Sequence, residues 1–120
     1  MRILVVEDQD SIRKMIEALV GGRGHVVLSA TSGPKALELA RSTPPDAALL
    51  DVNLPPPFDG IELCARLRES SPTMPIIMIT AQDDDETRAR ALAAGSTGFF
   101  AKPFSPLALL KEIDSIERSR

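Results

Sequence analysis

Residues 47–51 read Ala47-Ala48-Leu49-Leu50-Asp51, a short apolar strand that ends at a single carboxylate. Burial alone would favour another apolar side chain at that last position. The pattern recurs where Ile3-Leu4-Val5-Val6 runs into Glu7-Asp8, and again where Ile76-Ile77-Met78-Ile79 runs into Thr80. Three strands are therefore predicted to end in groups that can bind a cation or a phosphate.

Apolar runs of four or five residues alternate with helical patterns about five times along the chain. This alternation is typical of a parallel sheet whose crossover helices cover both faces. It predicts an α/β fold with strands near residues 2–6, 25–30, 46–50, 75–79 and 97–101.

The helices are predicted from apolar periodicity and from their terminal residues. The first has Asp10 or Ser11 as its cap and Gly21-Gly22 as its stop. Its inner face is predicted to carry Ile12, Met15, Ile16, Leu19 and Val20. The second begins at Ser32, the third spans about 60–69 and the fifth begins at Ser105-Pro106.

The fourth helix has the weakest apolar pattern. It opens with the acids Asp83 to Glu86, which suit the positive end of a helix dipole, and it closes at Gly95. Its inner face is predicted to consist of alanines and Leu92. We therefore expect it to be the least firmly packed of the five helices.

The composition restricts the class of protein. The 120 residues carry a formal net charge of −3 and no low-complexity stretch, which favours a single domain over residues 1–120. The acidic balance argues against a nucleic-acid surface, which is normally basic. The apolar runs are too short for a membrane helix, and acidic residues interrupt the N-terminal run, unlike in a secretory signal. We expect a cytoplasmic protein with no direct contact to nucleic acid or membrane.

Several residues that could carry chemistry are expected to have only a structural or surface position. The lone Cys64 is expected to be a small buried helix residue, and His25 a surface or loop residue. The arginines of the predicted third and fourth helices are expected to cover solvated faces; they are Arg66, Arg68, Arg88 and Arg90.

In an open parallel sheet, ligands bind beyond the carboxyl ends of the strands. The polar residues predicted at such ends are Glu7, Asp8, Asp51, Thr80 and Lys102. Three carboxylates in one cleft repel each other unless a proton, a cation or a basic side chain relieves the repulsion. Oxygen ligands suit Mg²⁺, whereas the chain has no His or Cys cluster to favour zinc.

An aspartate can also attack phosphorus and form an acyl phosphate, which a metal ion and a lysine stabilise. We expect Asp51 to have the acidic pair on one side and Lys102 on the other, and the Thr80 hydroxyl could bind a phosphate oxygen. Taken singly, Thr80 could equally be a strand-end cap and Lys102 a solvated lysine. Pro103 could be an ordinary trans turn proline, or a cis proline that fixes the direction of Lys102. Glycine-rich nucleotide loops are absent.

Four stretches together resemble the receiver domain of two-component response regulators, similar to the single-domain chemotaxis regulators. They are Ile3-Leu4-Val5-Val6-Glu7-Asp8, Ala48-Leu49-Leu50-Asp51-Val52-Asn53-Leu54-Pro55, Ile79-Thr80-Ala81 and Phe99-Phe100-Ala101-Lys102-Pro103. The resemblance covers Arg2 to Ile116. It implies a flavodoxin-like, doubly wound, five-stranded parallel sheet of strand order 2-1-3-4-5 with five helices.

The resemblance implies a signalling switch that does not turn over a substrate. Asp51 would accept phosphate from a sensor histidine kinase or a phosphotransfer protein, with Mg²⁺ held by Asp8, Asp51 and the backbone carbonyl of Asn53, and by Glu7 through water. The domain would catalyse its own phosphorylation and a slow autodephosphorylation. Thr80 and Lys102 would bind the phosphoryl oxygens.

The resemblance also implies that Phe99 is a switch aromatic that turns inward as Thr80 moves toward the phosphate. The fourth helix, fifth strand and fifth helix would then signal to a downstream effector. Without the resemblance, Phe99 is simply one of two alternating strand residues. The resemblance implies, finally, that Asn53 and Gln82 occupy positions that tune the attack of water on the phosphoaspartate.

The chain departs from the family pattern in one loop. Between Asp51 and Gly60 it has one residue more than usual, an added proline in the run 55–57, so the loop over the site could be reshaped. Three alternatives stay open: an aspartyl phosphatase, a receiver module cut from a larger regulator or hybrid kinase, and a degenerate protein-interaction module. Such phosphatases usually have a second acid where this chain has Asn53, and a cap domain for which the length leaves no room.

Overall fold

A computed structural model describes residues 1–120 as a five-stranded parallel sheet with helices on both faces. The strands are β1 (Arg2–Val6), β2 (Val26–Ala30), β3 (Ala47–Leu50), β4 (Ile76–Thr80) and β5 (Gly98–Ala101). The helices are α1 (Asp10–Gly21), α2 (Gly33–Ser42), α3 (Gly60–Ser70), α4 (Asp85–Ala93) and α5 (Pro106–Arg118). The sheet order is β2-β1-β3-β4-β5, which confirms the predicted fold. None of the five helices has both the length and the apolar character to cross a bilayer.

The core has two layers because both faces of the sheet are covered. Alternate residues such as Leu4 and Leu50 pack with α2, α3 and α4, and their neighbours such as Ile3 and Leu49 pack with α1 and α5. A strand enclosed in this way buries successive side chains on opposite faces, which explains the uninterrupted apolar runs in the sequence.

Two structural features of α1 contradict the prediction. Its N-cap is Gln9, which makes no side-chain capping hydrogen bond, so neither Asp10 nor Ser11 is the cap. Asp10 instead accepts a hydrogen bond of 2.7 Å from Arg13. Met15 is 41% exposed, because the inner stripe is centred on the buried Ile16 and Val20.

Helix α4 begins two residues later than the acidic run suggested. The Asp84 carboxylate is its N-cap and accepts a 2.7 Å hydrogen bond from the backbone N–H of Thr87. The helix buries only Thr87 and Ala91, whereas Leu92 is 71% exposed, so the prediction that Leu92 faces inward is wrong. A residue next to a core-facing position lies about 100° further round the helix, which is why Leu92 points to solvent.

Two polar residues are less exposed than predicted. His25 is only 7% exposed, and its Nδ1 lies 3.8 Å from Glu117 of α5. Arg68 does not cover a solvated face, because it donates to the carbonyl oxygens of Ser71 at 2.8 Å and Gly95 at 2.5 Å. The buried position predicted for Cys64 is confirmed.

Candidate functional site

The acidic residues meet at the carboxyl edge of the sheet. The backbone N–H of Asp51 donates to Val6 at 3.0 Å, and that of Glu7 donates to Ala30 at 3.2 Å, so both residues continue the strand pairing. Glu7 is 1% exposed and Asp51 is 5% exposed, while Asp8 is open to solvent. One carboxylate oxygen from each of these three residues lies within 4.8 Å of the others.

Lys102 reaches this cluster from the end of β5. Its Nζ donates to Oε1 of Glu7 at 2.7 Å and to Oδ2 of Asp51 at 3.0 Å, and its side chain is 12% exposed. Its backbone N–H donates to the Thr80 carbonyl at 2.9 Å, which ties the loop to β4. The peptide bond to Pro103 is cis. The two nearly buried carboxylates therefore share one ammonium group.

The pKa values of both partners are shifted. Burial raises the pKa of Glu7, and the negative charge of Asp51 raises it further, against the opposing hydrogen bond from Lys102. Burial disfavours the Lys102 ammonium, but its hydrogen bonds to Glu7 and Asp51 prevail and raise the pKa of Lys102 above its usual value. The lysine is therefore held in its charged form inside the acidic cluster.

The residues present fit a hard divalent cation. Three carboxylates face one ammonium group, so the ionised cluster keeps an excess of negative charge. All the side-chain donors are carboxylate oxygens, which Mg²⁺ prefers to nitrogen or sulfur. Asp8 is the exposed member of the three, and it leaves one side of the cluster open to solvent.

Thr80 connects β4 to the same edge. Its side chain is fully buried, and its Oγ1 accepts a 3.2 Å hydrogen bond from the backbone N–H of Gln82. The side-chain amide of Asn53 lies 3.5 Å from the same oxygen, and the backbone N–H of Asn53 donates to Oδ1 of Asp51 at 3.2 Å. Asn53 thus bridges Asp51 and Thr80.

Phe99 lies on β5 beside this edge. It is half-buried and packs against the core layer under α2, α3 and α4, whereas Phe100 packs against the opposite layer. The structure therefore agrees with simple strand alternation for this pair. The guanidinium carbon of Arg88, from α4, lies 4.4 Å from the centroid of the Phe99 ring.

The loop that follows Asp51 is anchored by two contacts that the sequence did not reveal. A Cβ atom placed on Gly60 would lie 1.8 Å from the Asp51 carbonyl oxygen, so only glycine permits this approach. The Phe58 ring fills the space beside Gly33, where a Cβ would lie 2.2 Å from the ring, and Arg66 lies 4.2 Å from its centroid. Asp59 is the N-cap of α3, and the glycine directly after it, Gly60, was the available sequence signal for this close packing.

Arg13 was also missed as a supporting residue. From α1 it donates to the Glu7 carbonyl at 3.2 Å and to Asp10 at 2.7 Å, and its side chain is 14% exposed. The backbone N–H of Gln9 adds a 3.2 Å hydrogen bond to Oε2 of Glu7. The acidic loop after β1 is thus fixed from both its backbone and its side chains.

Known proteins resemble the chain over nearly its whole length. The family model for the response regulator receiver domain matches residues 3–114. The alkaline phosphatase synthesis transcriptional regulatory protein PhoP of Bacillus subtilis (strain 168) is 37% identical over 117 residues, which cover 98% of this chain and 48% of PhoP. Response regulator MprA of Mycobacterium avium (strain 104) is 36% identical over 118 residues, with coverage of 98% and 51%. The chain thus spans about half the length of these relatives.

Solved structures agree with this result. The chemotaxis protein CheY4 of Vibrio cholerae is 33% identical, with a TM-score of 0.89 and coverage of 96% of this chain and 97% of that chain. A CheY-like response regulator receiver domain protein from Methanospirillum hungatei JF-1 is 28% identical, with a TM-score of 0.91 and coverage of 99% and 98%.

Proposed function

The chain belongs to the response regulator receiver domain family, and we propose that it is a phosphoacceptor switch in which Asp51 accepts the phosphoryl group. The observation that carries the proposal is the position of Asp51, whose carboxylate lies in the acidic cluster with Glu7 and Asp8 and accepts a hydrogen bond of 3.0 Å from the Lys102 ammonium. Phosphoryl transfer to a carboxylate is favoured by positive charge beside the acceptor, which Lys102 supplies and a metal ion held by the acidic residues would supplement.

In the transfer, an oxygen of Asp51 attacks the phosphorus of a phosphohistidine on a sensor histidine kinase or phosphotransfer protein. The new O–P bond forms as the P–N bond breaks, and the imidazole nitrogen leaves with the bonding pair. The Lys102 ammonium, already 3.0 Å from Asp51, balances charge on the phosphoryl oxygens. The Thr80 hydroxyl would contact another of those oxygens.

Glu7, Asp8, Asp51 and the backbone carbonyl of Asn53 would hold Mg²⁺. When bound, the ion neutralises negative charge on the carboxylates and on the phosphoryl group. Among the protein's own groups, Lys102 releases Glu7 in part as it turns toward the phosphate, and Arg13 keeps the acidic loop in place.

Asn53 and Gln82 would set the lifetime of the phosphoaspartate. The backbone N–H of Asn53 donates to Oδ1 of Asp51 and that of Gln82 donates to Oγ1 of Thr80, and neither side chain carries a charge that activates water. Slow attack of water on phosphorus breaks the bond to the Asp51 oxygen and releases inorganic phosphate. Pro103 would tune the reaction indirectly, through the direction of Lys102. The domain would therefore reset itself without turning over another substrate.

The readout would run through Thr80 and Phe99 to the face formed by α4, β5 and α5. Helix α4 buries only small side chains, so its position can change at small cost. A phosphoryl group adds nearly two negative charges beside Thr80. These charges would interact differently with the two positions of α4, and this difference in free energy is what shifts the helix from one position to the other. A downstream effector domain or protein would read the altered face.

Phosphorylation can be tested by intact mass. The protein is incubated with Mg²⁺ and a small acyl phosphate, and we expect the gain of one phosphate, with none in the presence of a chelator. The Asp51→Asn variant should gain nothing, whereas Asp59→Asn, which alters the exposed cap of α3, should react normally. Uptake of phosphate by Asp51→Asn would show that the acceptor is wrongly assigned.

A further inference from the structure

Arg88 forms a contact that neither the phosphoacceptor chemistry nor the fold requires. Its guanidinium lies over the Phe99 ring, 4.4 Å from the centroid, although the two residues belong to different elements, α4 and β5. Its Nε also donates to the carboxylate of Asp83 in the loop after β4. These contacts form a stack of three residues, Asp83, Arg88 and Phe99.

The stack joins the two segments that the proposed switch must move. Asp83 is three residues beyond the buried Thr80, in the loop that leads into α4, and Phe99 is the proposed switch aromatic. One side of the Phe99 ring packs on the core layer and the guanidinium covers another part of it. A ring that turns inward toward Thr80 must leave the guanidinium behind, because Arg88 is held by Asp83.

We propose that Arg88 is a positioning residue whose guanidinium contacts the Phe99 ring and holds Phe99 in its half-buried position. Asp83 accepts a hydrogen bond from this guanidinium and thereby connects Arg88 to the loop after β4. This inference rests on the proposed function, in that Phe99 must be the switch aromatic. Movement of the loop on phosphorylation shifts Asp83, weakens the hold and frees the ring. Phosphate occupancy at Asp51 and the position of Phe99 are linked in this way across α4.

Removal of the cation favours the inward position of Phe99. A cation over an aromatic ring at a solvent-accessible site changes such an equilibrium by roughly two- to fivefold. The Arg88→Met variant keeps a long apolar side chain but loses the charge, so it should raise the inward population by that factor without phosphate. Asp83→Asn should shift the population less and in the same direction, since the guanidinium can still stack on the ring. Arg88→Lys keeps a cation and should remain near wild type.

The same helix offers a matched control. Arg90→Met makes the same chemical change at a side chain that is 51% exposed, compared with 48% for Arg88. Arg90 faces Asp59, at 3.7 Å, and not Phe99. Any effect common to the two variants is therefore a charge effect and not the stack.

The test is fluorine NMR of protein labelled with 4-fluorophenylalanine, because the chain has only four phenylalanines. The Phe99 signal is assigned by Phe99→Leu, and beryllofluoride with Mg²⁺ serves as the phosphate mimic. In Arg88→Met without the mimic, the Phe99 signal should move toward its mimic-bound position while the other three signals stay in place, which also shows that the fold is intact. Half-saturation should need two- to fivefold less mimic than in wild type or Arg90→Met.

The experiment distinguishes a wrong role for Arg88 from a wrong role for Phe99. If the mimic moves the wild-type Phe99 signal but Arg88→Met behaves like wild type or like Arg90→Met, the role of Arg88 is overturned and the proposed function stands. If the mimic binds and moves no phenylalanine signal in the wild type, Phe99 is not the switch aromatic, and the role of Arg88 falls with it. A shift of Phe99 away from its mimic-bound position in Arg88→Met also overturns the proposal.

Discussion

Replacing Lys102 with Met tests the electrostatics of the site most sharply. The substitution keeps most of the side-chain volume and removes the ammonium that contacts Glu7 at 2.7 Å and Asp51 at 3.0 Å. The two carboxylates, 1% and 5% exposed, then face each other and the nearby Asp8 without a cation. Without Mg²⁺, the variant should be markedly less stable than the wild type.

The expected loss follows from the burial of the pair. Removing one partner of a fully buried ion pair costs about 3–5 kcal/mol. The Lys102 side chain is 12% exposed and the cluster lies at the open edge of the sheet, so we take the lower end, about 3 kcal/mol at pH 8. With a urea dependence of about 1.5 kcal/mol per molar, the unfolding midpoint should fall by roughly 2 M.

The deficit should shrink as the pH falls. Burial raises the pKa of Glu7 in the folded protein, so the contribution of this group to stability is complete below its ordinary value of 4.5 and is lost as the pH rises through the folded pKa. Without the hydrogen bond from Lys102 that pKa rises further, and the variant takes up a proton that relieves the repulsion. The pKa of Lys102 is itself raised above 10.5, so its contribution in the wild type is present throughout pH 5 to 8.

Urea unfolding at pH 5 and pH 8, each with a chelator and with Mg²⁺, measures these effects. Lys111→Met on the exposed side of α5 is the control and should change the free energy of unfolding by less than about 0.5 kcal/mol. Mg²⁺ should restore more stability to Lys102→Met than to the wild type, because it binds the folded state with less competition from a positive charge. Equal stability of the variant and wild type at pH 8 in chelator would show that Lys102 does not stabilise the two carboxylates, and a deficit that does not depend on pH would exclude the protonation of Glu7.

Three further substitutions separate packing from chemistry. Gly60→Ala should lower the free energy of unfolding by about 3 kcal/mol or more in urea titrations, because its Cβ would lie 1.8 Å from the Asp51 carbonyl oxygen; an unchanged midpoint would contradict this geometry. Arg68→Met should lower the free energy of unfolding by about 2 kcal/mol and speed amide exchange near Gly95, because it removes two charge-assisted hydrogen bonds to backbone carbonyls. A change in amide exchange that is confined to other parts of the chain would count against the contact with Gly95. Asp8→Asn should weaken Mg²⁺ binding, measured by calorimetry, at least roughly tenfold. The metal-free variant should be at least as stable as the wild type, because one of three mutually repelling charges is removed. Undiminished Mg²⁺ affinity would exclude Asp8 from the metal site.

The sequence was sufficient to predict the sheet and the cluster at its edge. Each strand is a short apolar run because both faces are buried, and parallel strands end at the same edge. Polar residues directly after β1, β3 and β5 therefore meet in space, which is where Glu7, Asp51 and Lys102 contact each other. The alternation of strands and helices is enough to put these residues at one edge, and the family resemblance added the strand order 2-1-3-4-5.

The helix surfaces were harder to predict because their contacts depend on tertiary geometry. In α4 the inner residues are small, so the apolar pattern could not distinguish Ala91, which is buried, from Leu92, which is exposed. Arg68 and Arg88 have long side chains whose partners, Gly95 and Phe99, lie on other elements. A helical pattern predicts the face of the helix on which such a side chain begins, but it does not predict the position of the guanidinium group.

Chemical localisation of the phosphate shows whether Asp51 is the residue that accepts it. The protein is phosphorylated with Mg²⁺ and a small acyl phosphate and is then reduced with borohydride, which converts an acyl phosphate side chain to the corresponding alcohol. Peptide mass spectrometry should find homoserine in place of Asp51 and unmodified acids at Glu7, Asp8 and Asp59. A reduced residue at any of those other positions, or a phosphate gain that yields no reduced residue, would contradict the assignment of Asp51 as the acceptor.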